Sequence, residues 1–289
     1  MQQHVTLMIT STFYDMFGEY HYFVNEIFPY LKKFCAEHDI VLDYKDVAFS
    51  LLKDYTDKSI ILEDLRSIDS DRTFFICFRG QKLGWRPTYK NVNELTIDEY
   101  PEIVKFVGNV SITELTILHA LLPFDRFVDD ELKQLPPVKH SLFYFRNSDY
   151  IDELSDVQKF FFDNGIVELD KKVKDMEIAK AKDIVFDIKR DFAKKGDNAP
   201  RILIRNYDCV WDRSLDMKEI FLSYAKGYAK VKDRNLDDFI KTHLSQMCHD
   251  HEGCLTDFTY EGRPLKNVII EDITSELKRE FPENFSEHL

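Results

Sequence analysis

One glutamate stands near the start of an otherwise apolar helix predicted over Ser111–Leu122. Glu114 follows Ser111 by three residues, which is the spacing of a capping box, where each side chain bonds the other residue's backbone N–H. The helix follows predicted parallel strands, and open α/β sheets bind ligands at the carboxyl ends of their strands. Glu114 is therefore predicted either to cap its helix or to act as the working carboxylate of a site.

Polar residues follow the first predicted strand. Ser11, Thr12 and Phe13 come directly after it, where they can contact the ribose or phosphate of a nucleotide. The alternative interpretation is a polar loop that precedes a helix. Ser111, which begins the helix of Glu114, is included in the same candidate binding set.

Two cations and two aromatic residues surround the end of the third predicted strand. Arg79 and Lys82 can pair with a pyrophosphate, or they are ordinary surface charges. Trp85 and Tyr89 can stack on a base or ring, although aromatic side chains more often pack in a core. The loop between these residues contains Gly80, Gly84 and Pro87, which indicate irregular backbone.

The elements that must position these residues alternate along the chain. Strands are predicted over His4–Thr10, Ile40–Tyr44, Arg72–Arg79, Ser141–Phe145 and Arg201–Arg205. Helices are predicted over Gly18–Cys35, where Pro29 predicts a kink, and over Ser59–Ser67 and Ser111–Leu122. This alternation predicts an α/β fold with a doubly wound, flavodoxin-like parallel sheet of five strands in the order 2-1-3-4-5.

The character of the chain changes after Tyr150. Residues 151–200 are charge-rich and mostly helical, and they are predicted to be an insertion within an α/β domain that spans residues 1–210. Residues 211–289 are predicted to be a mostly helical C-terminal region, with two helices between Leu215 and Cys248. The pattern leaves open whether this region is a separate domain or a helical cap on the same sheet.

Composition excludes several classes of function. The chain has 289 residues, and 39 Lys and Arg stand against 52 Asp and Glu, for a net charge of -13. This balance argues against direct binding to nucleic acid or to an anionic membrane surface. No apolar run approaches the roughly 20 residues of a membrane span, and no signal peptide is visible. Five irregularly spaced cysteines imply no disulfide framework, so a cytoplasmic location is predicted.

Motifs for metals and phosphates are lacking in the sequence. The histidines and cysteines from His243 to Cys254 match no common zinc spacing, so no metal site is predicted. The chain contains no glycine fingerprint for dinucleotides, no P-loop and no nucleophile elbow. It therefore carries no ATPase module of its own.

Six separated blocks resemble a family of uncharacterised domains that stand N-terminal to NACHT-type (STAND) ATPases in nephrocystin, telomerase-associated protein and many bacterial proteins. The blocks are Ser11–Met16 with Glu19 and Phe28–Leu31, then Leu62–Leu65, Phe74–Ile76, Gly80–Pro87, Ser111–Leu115 and Phe143–Arg146. They cover roughly the first 150 residues. The resemblance implies a fold similar to the Toll/interleukin-1 receptor (TIR) domain, a five-stranded parallel sheet with helices on both faces.

The same resemblance implies an activity. Many TIR domains cleave NAD+ with one glutamate on the helix after the third strand, and Glu114 occupies that place by element order. A single carboxylate is chemically sufficient. Nicotinamide departs from the pyridinium as a neutral molecule, so it needs no general acid, unlike the sugar leaving groups of ordinary glycosidases. NAD+ is then a substrate, and no cofactor is implied. The sequence departs from the family after the second strand, where Tyr44–Phe49 lacks the usual Arg-Trp-Gly.

The first expected function is therefore an effector that hydrolyses NAD+ on self-assembly, in bacterial antiphage immunity, with a NACHT/STAND protein or another sensor as partner. The alternatives are a non-catalytic interaction module and a nucleotide sensor without hydrolysis. The segment Lys45–Leu52 carries Val47, Phe49, Leu51 and Leu52, which either dock on another chain or pack inward. Glu114 is expected in a cleft near Ser11, Thr12 and the loop Gly80–Trp85.

Overall fold

The computed structural model describes residues 2–12, 15–46, 59–70, 72–82, 84–163, 171–195, 199–232, 235–244 and 247–288. Its strands are β1 (Gln3–Thr10), β2 (Ile40–Asp46), β3 (Thr73–Arg79), β4 (Phe124–Val128), β5 (Glu131–Leu135), β6 (His140–Arg146), β7 (Arg201–Asp216), β8 (Glu252–Tyr260) and β9 (Arg263–Pro264). Its helices are α1 (Phe17–Tyr22), α2 (Phe28–Ala36), α3 (Ile60–Ile68), α4 (Glu94–Glu99), α5 (Ile112–Leu121), α6 (Asp156–Asp163), α7 (Lys171–Ala193), α8 (Met217–Lys232), α9 (Leu236–Leu244) and α10 (Leu265–Glu280).

The fold is α/β, with a mostly parallel central sheet of seven strands in the order β2-β1-β3-β6-β7-β8-β9. The first five of these are mutually parallel, and they follow the order 2-1-3-4-5 predicted from the sequence. The prediction of five strands was wrong. Strand β7 continues 11 residues beyond the predicted end at Arg205, and its second half pairs with β8 in antiparallel fashion.

A β-hairpin, β4–β5, follows α5 and was not predicted from the sequence. Its turn residues Asp129 and Asp130 both have positive φ, 51° and 62°. Two left-handed residues in a row suit the twist of a tight hairpin turn, which usually carries Asn-Gly or Asp-Gly. An Asp-Asp turn gives a weaker signal, and the hairpin forms a two-stranded sheet of its own.

Helices cover both faces of the central sheet, because successive strand side chains point to opposite sides. Phe74, Ile76 and Phe78 of β3 join a core with α1, α2, α8 and α10, which we term the α1 face. Phe75 and Cys77 join the core beneath α3, α5 and α7, which we term the α5 face. Every residue of β3 is buried, as predicted for a strand covered on both sides. No helix in the described part of the chain has the length and apolar character of a membrane span.

The first predicted helix runs from Phe17 to Ala36 and changes its winding midway. A π-helical segment, Phe23–Ile27, joins α1 to α2 directly before the pair Phe28-Pro29. Proline has no N–H to donate to the preceding turn, so the regular α-helical bonding pattern is interrupted where Pro29 predicted a kink.

Elements after residue 210 pack on the same sheet. Strand β7 runs across residue 210 without a break, and helix α8 packs on α1 through Phe221 and Phe17, whose ring centroids lie 6.4 Å apart. Helix α10 is tied to the sheet by the bond of 2.7 Å between Glu276 Oε2 and His140 Nδ1. Helices α6 and α7 lie between β6 and β7, within the predicted insertion at 151–200.

The attachment of α10 predicts a pH dependence of stability. Burial alone would raise the pKa of Glu276, but its hydrogen bond to His140 and the charge of Arg201 outweigh that effect and lower it. A carboxyl group with a lowered folded-state pKa stabilises the fold above its unfolded pKa, and this contribution is lost as the pH falls through the folded value.

We therefore expect the free energy of unfolding in urea to fall as the pH drops below about 4.5, the ordinary range of a glutamate pKa. Glu276→Gln should lessen this fall, because glutamine carries no carboxyl group that becomes protonated over this range of pH. Glu271→Gln is the control, because the pair of Glu271 with Arg263 is exposed. An equal effect of both substitutions would contradict the prediction.

Candidate functional site

The carboxyl edge of the sheet brings together residues from distant parts of the sequence. The hydroxyl groups of Thr10, at the end of β1, and Thr116, on α5, lie 2.9 Å apart. The hydroxyl of Thr113 points at the carbonyl oxygen of Ser11 over 3.4 Å. Strand β1 and the first turns of α5 therefore meet at this edge, as the predicted topology requires.

The loop after β3 contacts β1 and α5 at this edge of the sheet, and the contact is made at Gly84. This residue has a φ of +85°, and a Cβ built on it would lie 3.1 Å from Thr12 Cγ2 and 3.3 Å from Thr113 Oγ1. The absence of a side chain thus allows the loop to touch both β1 and α5.

Gly84→Ala is expected to destabilise the fold more than Gly108→Ala. Gly108 has a similar φ of +80°, but a Cβ there meets nothing within 4 Å. Both variants carry the strain of a left-handed alanine, about 1–2 kcal/mol, and Gly84→Ala adds an overpacking cost of about 1–3 kcal/mol. Urea unfolding measures the difference, and equal losses would show that the loop does not rest on Thr12 and Thr113.

Glu114 forms the capping box that its spacing predicts. Its backbone N–H donates to Ser111 Oγ at 3.2 Å, and its Oε2 accepts from the N–H of Ser111 at 2.7 Å. Ser111 is fully buried, while Glu114 is half-buried. The predicted helix-capping role of Glu114 is therefore confirmed.

Glu114 also faces a cavity of about 150 Å³ between α5 and α7. Arg86 and Lys180 line this cavity with Asn109, and the remaining walls are apolar side chains of α5, of the loop before it and of α7. The capping box uses only the Oε2 atom of Glu114, and Oε1 makes no hydrogen bond within the described residues. The site thus combines one carboxylate with two cationic side chains at the carboxyl edge of the sheet.

Ser11 and Thr12 are buried and lie beside the start of α5. Ser11 Oγ hydrogen-bonds the hydroxyl of Tyr20 over 2.8 Å, and Tyr20 donates to Asp46 Oδ1 over 3.1 Å. This chain links the ends of β1 and β2 through α1. Phe13, the third residue of the predicted set, lies outside the described residues.

Arg79 is buried on the α5 face, with 1% of its surface exposed. Neither of its terminal nitrogens, Nη1 and Nη2, has a hydrogen-bond partner within the described residues. Its charge acts on Lys182 of α7, whose pKa is lowered by burial and by this repulsion. A buried cation without a partner is costly, so this position is suited to an anion.

The side chain of Lys82 contacts α6. Its Nζ donates to the carbonyl oxygen of Phe161 over 2.9 Å and lies 4.7 Å from the centre of that ring. Burial lowers its pKa, although the charge of Asp15 opposes the shift. The structure therefore gives Lys82 an intramolecular role beside α6, away from Arg79.

The two predicted stacking residues differ in exposure. Trp85 is half-buried against the core of the α5 face, and its carbonyl accepts a hydrogen bond of 2.9 Å from the N–H of Ile112. Tyr89 is 58% exposed, and its hydroxyl donates to the carbonyl of Val104 over 3.0 Å. Trp85 thus fixes the loop to the start of α5, while the ring of Tyr89 faces solvent.

A buried ionic cluster that the sequence did not predict lies on the α1 face. Arg146, at the end of β6, is fully buried and donates to Glu19 Oε1 over 2.7 Å and to the carbonyl oxygen of Asp15 over 2.8 Å. The hydroxyl of Tyr207 donates to the same Oε1 over 2.6 Å. Burial raises the pKa of Asp15, although Arg146 and Lys82 act to lower it. Asp15, Glu19 and Arg146 all stand in the sequence blocks that resemble the family, but nothing in their spacing showed that they meet.

The cysteines are free thiols. Cys77 is a small buried side chain in the core, and burial raises its pKa to about 12. Among the described residues, no group of three or more His, Cys, Asp or Glu side chains is placed to hold a metal ion.

Two known proteins show a distant similarity to this chain. A TPR repeat-containing protein of Dictyostelium discoideum is 22% identical over 263 residues, which is 84% of this chain and 15% of that protein. Telomerase protein component 1 of Rattus norvegicus is 21% identical over 209 residues, which is 72% of this chain and 7% of that protein. No family model and no solved structure matches the chain. The chain is thus similar to small parts of two much longer proteins.

Proposed function

We propose that this chain is a TIR-like domain that binds NAD+ at the carboxyl edge of its sheet and hydrolyses it to nicotinamide and ADP-ribose on self-assembly. The five parallel strands in the order β2-β1-β3-β6-β7 support the fold assignment. The observation that carries the activity is the cavity at this edge, where Glu114 faces Arg86 and Lys180.

The charges of this cavity suit the charges of the substrate. NAD+ carries a positive nicotinamide ring on one ribose and two negative phosphates beyond it. A carboxylate next to cationic side chains can bind both ends of such a molecule. The volume of the cavity, about 150 Å³, is smaller than the ~300 Å³ of pockets that enclose drug-sized ligands. One ring with its ribose would enter it, and the phosphates would lie outside.

Glu114 would stabilise the transition state by its charge. As the glycosidic bond breaks, its electron pair goes to the pyridinium nitrogen, nicotinamide leaves neutral, and positive charge develops on the ribose ring. A fixed carboxylate beside that ring stabilises the developing charge. Water then adds to the ribose carbon and loses a proton, which gives ADP-ribose. The Oε1 atom is available for this role while Oε2 still caps the helix.

Arg79 supports the assignment of this edge to an anionic ligand. Its guanidinium is buried at the end of β3, and its terminal nitrogens have no partner within the described residues. Lys182 adds positive charge nearby. An anionic group that reached the guanidinium of Arg79 would supply the missing partner, at a point separate from the cavity of Glu114, which Arg79 does not line.

Self-assembly is part of the proposal, because an unregulated NAD+ hydrolase would deplete its own host. The segment Lys45–Leu52 is proposed to complete the site of a neighbouring copy, although residues 47–52 lie outside the described residues. A NACHT/STAND protein or another sensor is the proposed trigger, and bacterial antiphage immunity is the proposed context.

The test is nicotinamide release from NAD+ by the purified chain over a hundredfold range of protein concentration. We expect the activity per protomer to rise with concentration, together with an increase in molecular mass measured by light scattering. Constant activity per protomer in a strictly monomeric protein would exclude assembly control. No release at any concentration would exclude hydrolysis.

The second candidate is a non-catalytic domain that recruits partners or senses nucleotides. The complete capping box favours it, since Glu114 already has a structural role. Calorimetric titration with NAD+ separates the two forms of this alternative. A sensor binds NAD+ without releasing nicotinamide, and an interaction module does neither.

A further inference from the structure

A second cavity, of about 360 Å³, lies on the α1 face, on the other side of the sheet from the core beneath α5. It is enclosed by the π-helical segment, β8 and the start of α10. Ile27, Phe78, Leu265 and Ile269 are buried and form its apolar inner walls. This volume is within the range of about 300–1,000 Å³ typical of small-molecule sites, and π-helical turns are frequent at functional sites.

Glu19 is the buried polar residue of this cavity. Its side chain is 1% exposed, and its Oε1 accepts hydrogen bonds from Arg146 and Tyr207. Its second oxygen, Oε2, has no hydrogen-bond partner within the described residues. A buried carboxylate oxygen without a donor is unfavourable, and the cavity is the space from which a donor can reach it.

Water alone satisfies this oxygen poorly. A buried water molecule usually makes two to four hydrogen bonds, but the other buried walls of the cavity are hydrocarbon. A water beside Glu19 would lack further partners there. A ligand that carries its own apolar body can bring a donor to Glu19 and fill the remaining space at once.

The mouth of the cavity indicates the charge of that ligand. Asp257 is exposed at the rim, with an unusual positive φ of 48°, and Lys266 at the rim is paired with Glu26. Phe258, which lies edge-on to Tyr22 with ring centroids 5.4 Å apart, adds an aromatic wall. Carboxylates at the inner end and at the rim, with aromatic faces between them, favour a cation.

We infer that this cavity binds a small organic amine, an apolar ring or chain with one protonated amino group directed at Glu19 Oε2. The apolar body packs between Phe78 and Leu265. The inference does not rest on NAD+ hydrolysis, because it concerns another face of the sheet and shares no residue with the cavity of Glu114.

Cyclohexylmethylamine is the probe, and cyclohexylmethyl methyl ether, which has the same ring but no donor, is its matched control. Calorimetric titration of the whole chain at pH 7 should show the amine binding at least about tenfold more tightly than the ether, as expected for a hydrogen bond to a charged group. Equal binding of both probes would show that the cavity recognises only the apolar ring, and it would contradict the role of Glu19 Oε2. No binding of either at millimolar concentration would overturn the inference.

Two substitutions locate the binding. Glu19→Gln should remove the preference for the amine, but it also disturbs the bond to Arg146 and can impair folding. Ile269→Phe is therefore the second variant, because a larger side chain fills the cavity without touching the ionic cluster. Binding of the amine should be lost in Ile269→Phe and kept in Leu95→Phe, a substitution at an exposed position. Unchanged binding in Ile269→Phe would place the amine elsewhere and contradict the inference.

Discussion

Glu114→Gln is expected to lower nicotinamide release from NAD+ by at least about a hundredfold, the usual effect of removing one group that stabilises transition-state charge. It should leave the free energy of unfolding within about 0.5 kcal/mol of the original, because glutamine also completes a capping box. The substitution therefore removes the charge and keeps the bond from the Ser111 N–H to the side-chain oxygen.

Glu94→Gln is the matched control for this experiment. Glu94 also stands in the first turn of a helix, α4, but it is exposed and lies in another part of the fold. We expect full activity from it. If Glu114→Gln releases nicotinamide as fast as Glu94→Gln does, the carboxylate of Glu114 has no catalytic role, and the capping function alone explains this residue.

Arg146→Met is expected to lower the free energy of unfolding by about 3–5 kcal/mol, the cost of removing one partner of a buried ion pair. Arg146 is fully buried and compensates the carboxylate of Glu19 and the backbone carbonyl of Asp15. Without the guanidinium, Glu19 retains only the hydroxyl of Tyr207 as a partner in the described cluster. Urea unfolding followed by circular dichroism measures the loss.

Arg190→Met provides the comparison, because Arg190 pairs with Asp187 on the surface of α7 and both side chains are mostly exposed. Such pairs contribute about 0–1 kcal/mol. The double variant Arg146→Met with Glu19→Gln should recover part of the stability, since it no longer leaves an uncompensated charge. A loss from Arg146→Met no larger than that from Arg190→Met would contradict the buried ion pair.

Local patterns in the sequence determined much of the fold. The apolar run 74–78 is a strand covered on both sides, and Pro29 follows a break in regular helix winding. The spacing of Ser111 and Glu114 forms the capping box. These features depend on residues close together in the chain, where side-chain periodicity and backbone chemistry act directly. The order of the parallel strands followed as well, because right-handed crossovers leave few arrangements.

Edge strands were harder to predict. Strand β8 pairs with β7 through several register irregularities, so its side chains do not alternate regularly between polar and apolar. In the hairpin β4–β5, four of the five residues of β5 are exposed, and Phe124 is the one buried residue of β4, so neither strand carries an apolar face comparable to that of the central strands. Both elements form because a partner strand is available in space, which a sequence pattern does not show.

The sequence by itself determined the α/β alternation, the parallel order and the candidate glutamate. Only the tertiary structure decided which charges are buried and which partners they have. Arg79 and Lys82 are three residues apart, yet the terminal nitrogens of Arg79 are buried with no partner among the described residues, while Lys82 bonds the carbonyl of Phe161. Glu19 meets Tyr207 across 188 residues of sequence. Burial and pairing of charge depend on such long-range contacts, which arise only when the helices pack on both faces of the sheet.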